Sequence, residues 1–132
     1  MANTFTQTKI IDGPRTVVIH AYLESDGVAG EITDGVLVDV STLSPVPDHL
    51  VVQQIDADIT GFSAKLEFDA TADVPFYNVS PDTSLSACWH ATGGVPDPKG
   101  AGYTGDVLIT TSGFTAAGDR GYIRIECVKS WA

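Results

Sequence analysis

From Thr16 to Ala64 the sequence contains no lysine and no arginine. The same stretch holds Glu24, Asp26, Glu31, Asp34, Asp39, Asp48, Asp56 and Asp58. Over all 132 residues, 17 acidic side chains face 7 basic ones, a formal charge of −10. A broad positive patch for a phosphate backbone is disfavoured, and with it direct nucleic-acid binding. Attraction to anionic membranes is disfavoured on the same ground. The charge reads first as solubility, then as docking to a basic partner or capture of a hard cation. Cysteine is scarce too. Cys88 and Cys127 allow one bridge at most, too few for a disulfide scaffold, and they read as reduced, partly buried thiols. No run approaches the roughly 18 apolar residues of a membrane helix. The opening Met1-Ala2-Asn3-Thr4-Phe5-Thr6 lacks a basic region followed by an apolar one, so it reads as a mature polar start and not as a secretion leader. Helix caps leading into a periodic apolar stripe are missing, which argues against an α/β fold.

What is present is two-residue alternation, interrupted by turn residues about every ten positions. Val17, Ile19, Ala21 and Leu23 share one face against Val18, His20, Tyr22 and Glu24. Val51, Gln53, Ile55, Ala57 and Ile59 oppose Val52, Gln54, Asp56, Asp58 and Thr60. The cleanest pattern sets Phe62, Ala64, Leu66 and Phe68 against Ser63, Lys65, Glu67 and Asp69. Such alternation marks half-buried strands of fixed register. Further strands are expected at 4–11 (a strand or an arm), from Ile32 or Val36 to Val40, and at 74–79, 85–90, 107–111 and 122–128, with Pro75 marking an edge or irregular strand. The expected fold is all-β: a compact antiparallel β-sandwich or jelly-roll-like barrel of about eight to nine short strands. Residues 1–9 read as a flexible N-terminal arm and 10–132 as a single β domain with a long loop near 91–105. At 43% hydrophobic composition the chain is too apolar for general disorder. Size scaling predicts a folded surface of roughly 6,700 Å².

No side-chain set looks catalytic. His20, His49 and His90 have no short metal-ligand spacing. Cys88 and His90, even with Cys127, leave a zinc site one ligand short. As strand neighbours two apart, Cys88 and His90 are poorly placed for proton transfer. Asp97, Asp106 and the Asp26–Asp34 turn could offer oxygens to calcium, but the spacing of a helix–loop–helix calcium loop is absent. The glycines near Gly93 and Gly102 lack the Lys-Ser/Thr and helix of a phosphate loop. Trp89 with Tyr103 could line a sugar groove, although Trp89 reads better as core. No cofactor, resident metal or catalytic residue is expected.

Residues 1–15 (MANTFTQTKIIDGPR) with the Val17-Val18-Ile19 strand resemble small structural proteins of tailed-bacteriophage virions. So do Val38-Asp39-Val40-Ser41-Thr42-Leu43, Gly61-Phe62-Ser63-Ala64-Lys65-Leu66 and Gly102-Tyr103-Thr104-Gly105-Asp106-Val107-Leu108. The resemblance runs through most of the chain. It implies a non-enzymatic virion component, most like a capsid decoration or cement protein on the outer capsid surface. Its partner would be the major capsid protein, and it would self-associate as a dimer or trimer. Neck, tail-tube and other head-completion components are also small and β-rich, and a carbohydrate-binding or host-attachment sandwich is the other reading. No catalytic residue carries over. Partner contacts are expected from the arm (Phe5, Gln7, Lys9), from the irregular loop (Pro96, Pro98, Lys99, Tyr103) and from Trp131 near the chain's end.

Overall fold

Alternation becomes strands in a computed structural model that describes residues 3–131. Ten strands form: β1 (Thr4–Asp12), β2 (Thr16–Glu24), β3 (Gly35–Val38), β4 (His49–Thr60), β5 (Ser63–Phe68), β6 (Val74–Val79), β7 (Thr83–Cys88), β8 (Val95–Pro96), β9 (Val107–Ser112) and β10 (Arg120–Ser130). They make two antiparallel sheets. One has the order β1-β2-β10-β4-β7, with the two-residue β8 also on β4; the other has the order β3-β9-β5-β6. β2, β10, β4 and β7 facing β3, β9, β5 and β6 is the two-Greek-key arrangement of a jelly roll. The expected all-β sandwich is therefore present, with β8 as the strand that its two-residue length hid. The surface is 6187 Å².

Faces that read apolar in the sequence meet between the sheets. Val17, Ile19, Ala21 and Leu23 pack with Ile123, Ile125 and Cys127 from one sheet, against Leu66, Phe68, Val107 and Ile109 from the other. β4 departs from the expected parity. Its buried residues are Leu50 and Val52, then Ile55, Ala57 and Ile59. Val51 and Gln53, expected inside, are half-buried. The cause is a β-bulge: Glu126 pairs with Gln54 while the adjacent Cys127 pairs with Val52, so Gln53 is an extra residue on β4. One inserted residue reverses the face of everything before it.

The expected arm is an edge strand from Thr4 onward; Met1 and Ala2 lie outside the described residues. β1 pairs with β2 from Thr4 opposite Glu24 to Asp12 opposite Val17. Its odd-numbered side chains bind it across the sandwich: Phe5 packs on the core, Gln7 donates to Val36 O, and Lys9 donates to Thr42 O at 2.8 Å. A bulge between Lys9 and Ile11 interrupts the ladder, which resumes with Ile11 opposite Val18.

The irregular loop is ordered by its own bonds. The backbone N–H of Asp97 donates to Leu50 O, that of Thr71 to Ala101 O, and that of Thr104 to Asp69 O. Strand direction then sorts the connections. Residues 13–15, 39–48, 69–73 and 89–106 lie at one end, with Trp131. Residues 25–34, 61–62, 80–82 and 113–119 lie at the other.

Candidate interaction surface at one end of the sandwich

Pro45 and Pro47 bracket Val46, and proline fixes its own backbone torsion while biasing the residue before it toward extended backbone. Val46 projects at 54% exposure, and its carbonyl accepts the Trp131 indole N–H at 2.8 Å. Trp131 is thereby fixed on the surface, itself 53% exposed. The end of β1 adds Ile10 and Ile11, 56% and 47% exposed. Asp12 places that strand end beside the proline segment, because its Oδ2 accepts the Ser44 N–H at 3.0 Å. Ile10, Ile11, Val46 and Trp131 are thus exposed apolar side chains at the same end of the sandwich, a rim whose two halves are tied by the Asp12–Ser44 hydrogen bond. Exposed apolar side chains grouped this way mark contact surfaces more than scattered ones do.

Beside the rim is a polar cluster. Asp48 is hydrogen-bonded to His49 Nδ1 at 2.9 Å and accepts the Tyr103 hydroxyl at 2.9 and 3.0 Å. The His49 bond, then the Tyr103 bond, holds the Asp48 carboxyl below the usual carboxylate range. The same Asp48 pushes the Tyr103 phenol up. Gly105, at φ +89°, lets the loop close here, since a Cβ would sit 2.5 Å from Asp48 O. Asp97 is buried; its Oδ1 accepts the Lys99 N–H at 2.8 Å, while Oδ2 has no partner. Burial raises its carboxyl above the usual range. A raised acid stabilises the fold as pH falls and opposes it above its folded pKa. Asp97→Asn, which keeps the Oδ1 acceptor, is therefore expected to gain most relative to the parent near pH 7. The gain should shrink steadily toward pH 4, read from urea midpoints across that range.

The predicted contact residues divide. Lys9, Pro96, Pro98, Lys99, Tyr103 and Trp131 come together at this end, where Pro96, Pro98 and Lys99 are exposed. Phe5 and Gln7 do not join them. Phe5 is half-buried against the core, and Gln7 lines a groove of about 460 Å³ between β1 and β3. Lys9 lines the same groove, at its end toward Thr42. Sequence reasoning missed Ile10, Ile11 and Val46; a valine between two prolines was the available sign. It also missed the ion pair beneath them. Lys129 Nζ, on a fully buried side chain, meets Asp12 Oδ1 at 2.8 Å.

Much of the acidic stretch is used internally. Asp56 accepts from Arg124 at 2.7 Å. Glu31 accepts from Thr111 Oγ1 and from the N–H groups of Gly113 and Phe114. Asp39 accepts the Ser41 N–H, and Asp26 accepts those of Val28 and Ala29. The carboxylates that converge are Asp34, Glu67 and Asp73, with oxygens within 4.8 Å of one another. Thr110 Oγ1 donates to Glu67 and Asp34, and Lys65 lies 3.6 Å from Glu67. Asp97 and Asp106 are not in that group. Cys88 and Cys127 are both free thiols, one exposed and one in the core. Trp89 packs edge-on against Tyr77 at 5.6 Å, on the core side.

No protein-family model matches the chain, and no curated protein matches it. Similar solved structures include a cupin-superfamily protein of Desulfitobacterium hafniense, with TM-score 0.36, 9% identity, and 98% of this chain and 81% of that one covered. Another is an RmlC-like cupin family protein with a double-stranded β-helix fold from Methanocaldococcus jannaschii. Its TM-score is 0.33 at 9% identity, with 98% of this chain and 82% of that one covered. Likeness at this distance carries no argument about activity.

Proposed function

We propose that the chain is a non-enzymatic structural protein of a phage virion, a capsid decoration or cement protein that grips the major capsid protein with its loop end. The observation that carries the reading is the rim of Ile10, Ile11, Val46 and Trp131, four exposed apolar side chains held on hydrogen-bonded supports. The sequence resemblance supplies the kind of partner. A rigid contact surface loses little entropy on binding, and repetition over a symmetric shell multiplies a modest single-site affinity. Jelly rolls host capsid, lectin and cupin domains alike, so the fold supports no one function over another. The Pro96–Tyr103 loop flanks the rim and extends the contact. Self-association as a dimer or trimer belongs to the same reading.

The test is binding to purified shells that lack this chain. Trp131→Ala combined with Val46→Asp is expected to weaken shell binding by about 30-fold or more, the effect of losing a central aromatic anchor. Its melting temperature should stay close to that of the parent. Unchanged binding by the folded variant, or absence of the chain from purified virions, rejects the proposal.

A further inference from the structure

Each sheet has two edges, and three of the four carry a device that blocks pairing with another chain. β1 has Lys9 and a bulge, and its side chains reach across to β3. β3 is four residues long with a register shift between Val36 and Val38. β6 contains Pro75 and faces a shift between Leu66 and Glu67. β7 has none of these. Thr83-Ser84-Leu85-Ser86-Ala87-Cys88 contains no charge and no proline, and it pairs with β4 without a register shift. Among the described residues nothing pairs with its other side. A regular, neutral, unpaired edge is a template for a further strand.

Hydrogen-bond direction fixes what such a strand would meet. Trp89 donates its backbone N–H to Gln53 O at 2.8 Å. Along an antiparallel strand the bonding side alternates. Thr83, Leu85 and Ala87 therefore bond to β4, while Ser84, Ser86 and Cys88 aim their N–H and C=O outward. The outward set is symmetric about Ser86. We propose that β7 pairs antiparallel with β7 of a second copy, Ser86 opposite Ser86, continuing the larger sheet across a two-fold axis.

In this register every outward residue finds a partner: Ser86 faces Ser86, and Ser84 faces the second copy's Cys88. Shifting it by two residues leaves some of them unpaired. On the core side Leu85 comes opposite the second copy's Ala87. Leu85 is only half-buried in the single chain, as are Phe76, Tyr77 and Trp89 on the same flank. The register is complementary to itself, and that points to a second copy as the occupant. A chain of net charge −10 repels its own copy, and that repulsion is weakest where the approaching strands carry none. The inference deepens one part of the virion reading, self-association. Its test uses the free protein, so failure to dimerise and failure to bind shells are separate results.

Light scattering of the parent should give twice the 13.9 kDa chain mass. Ser86→Cys in a Cys88→Ser background places two thiols across a bonded pair about 5.5 Å apart at Cα, within disulfide reach. Mild oxidation should convert it to a covalent dimer. In the parent the two Cys88 residues stand about 14 Å apart along the strands and should not cross-link. Ser86→Pro removes an N–H that β4 does not use and should yield a folded monomer. Ser86→Lys sets two ammonium groups opposite each other, each beside the Asp56 carboxylate of its own chain, and should weaken the dimer by up to about fivefold. A parent that stays monomeric to about 1 mM overturns the proposal, because specific pairing weaker than that is negligible. So does a dimer of the Ser86→Cys variant whose introduced thiols do not join, or one that survives either of the folded Pro and Lys variants unweakened.

Discussion

Asp12→Ala is expected to destabilise the protein by about 3–5 kcal/mol, the usual cost of stranding one member of a buried ion pair. Lys129 is the stranded group. Its side chain has 0% exposure, and its Nζ lies 2.8 Å from Asp12 Oδ1. The lysine continues the core face of β10 past Ile123, Ile125 and Cys127, so its stem is packed and its ammonium has no easy route to water. Asp12 also accepts the Ser44 N–H, which ties the end of β1 to the proline segment. At a few degrees per kcal/mol for a chain of this size, the melting point should fall by roughly 10–15 °C. Lys129→Met added to Asp12→Ala should recover most of the loss, because no buried charge is left unpaired. Equal instability of the single and double variants would contradict this account. The pH dependence has a fixed sign. The Lys129 hydrogen bond, with help from Ser44, holds the Asp12 carboxyl below its ordinary 3.8. That contribution is complete above pH 4 and is lost as pH falls through the lowered folded value. The gap between parent and Asp12→Ala should therefore close in acid.

Phe114→Ala should cost a similar 3–5 kcal/mol, by a different cause. Phe114 is fully buried at the opposite end of the sandwich, in the 113–119 turn. Its ring meets Phe62 at 4.6 Å and 64°, an edge-to-face pair between two connections that are far apart in sequence. The Glu31 carboxylate accepts its N–H at 3.1 Å and that of Gly113 at 2.9 Å, so the backbone holds its place when the ring is removed. A cavity results, and the turn cannot collapse to fill it. Urea denaturation should show a lower midpoint with the slope unchanged. A cycle with Phe62→Ala should return a coupling of about 0.5–1.5 kcal/mol, the contribution of an aromatic pair beyond its buried area. Strict additivity of the two losses would mean that the rings fill space independently.

The strands were legible because each half-buried face repeats every second residue. Phe62, Ala64, Leu66 and Phe68 read as core, and they are core. Where the reading failed, a non-local partner decided the outcome. The extra residue at Gln53 shows only in the pairing with β10. The Thr4–Lys9 segment read as strand or arm, because its own apolar content is low and contacts from elsewhere decide between them. It is held by Phe5 against the core, by Gln7 on a β3 carbonyl, and by Lys9 on Thr42 O. The contact residues were half legible. Tyr103 and Trp131 stood out by type and position. Ile10, Ile11 and Val46 meet only after β1, the proline segment and the chain's last strand converge, and no local pattern announces that meeting. Asp12 and Lys129 are 117 positions apart, beyond any periodicity.

Asn3 and Trp131 lie at opposite ends of the sandwich. Asn3 is anchored among the far connections, donating to Gly30 O and accepting the Asp26 N–H, whereas Trp131 stands beside Val46. If the loop end grips a shell as proposed, a passenger joined ahead of Asn3 would be carried on the side facing away from it. On the same proposal, one joined after Trp131 would lie between the shell and this protein. The amino terminus is the natural mast for anything this protein is asked to display.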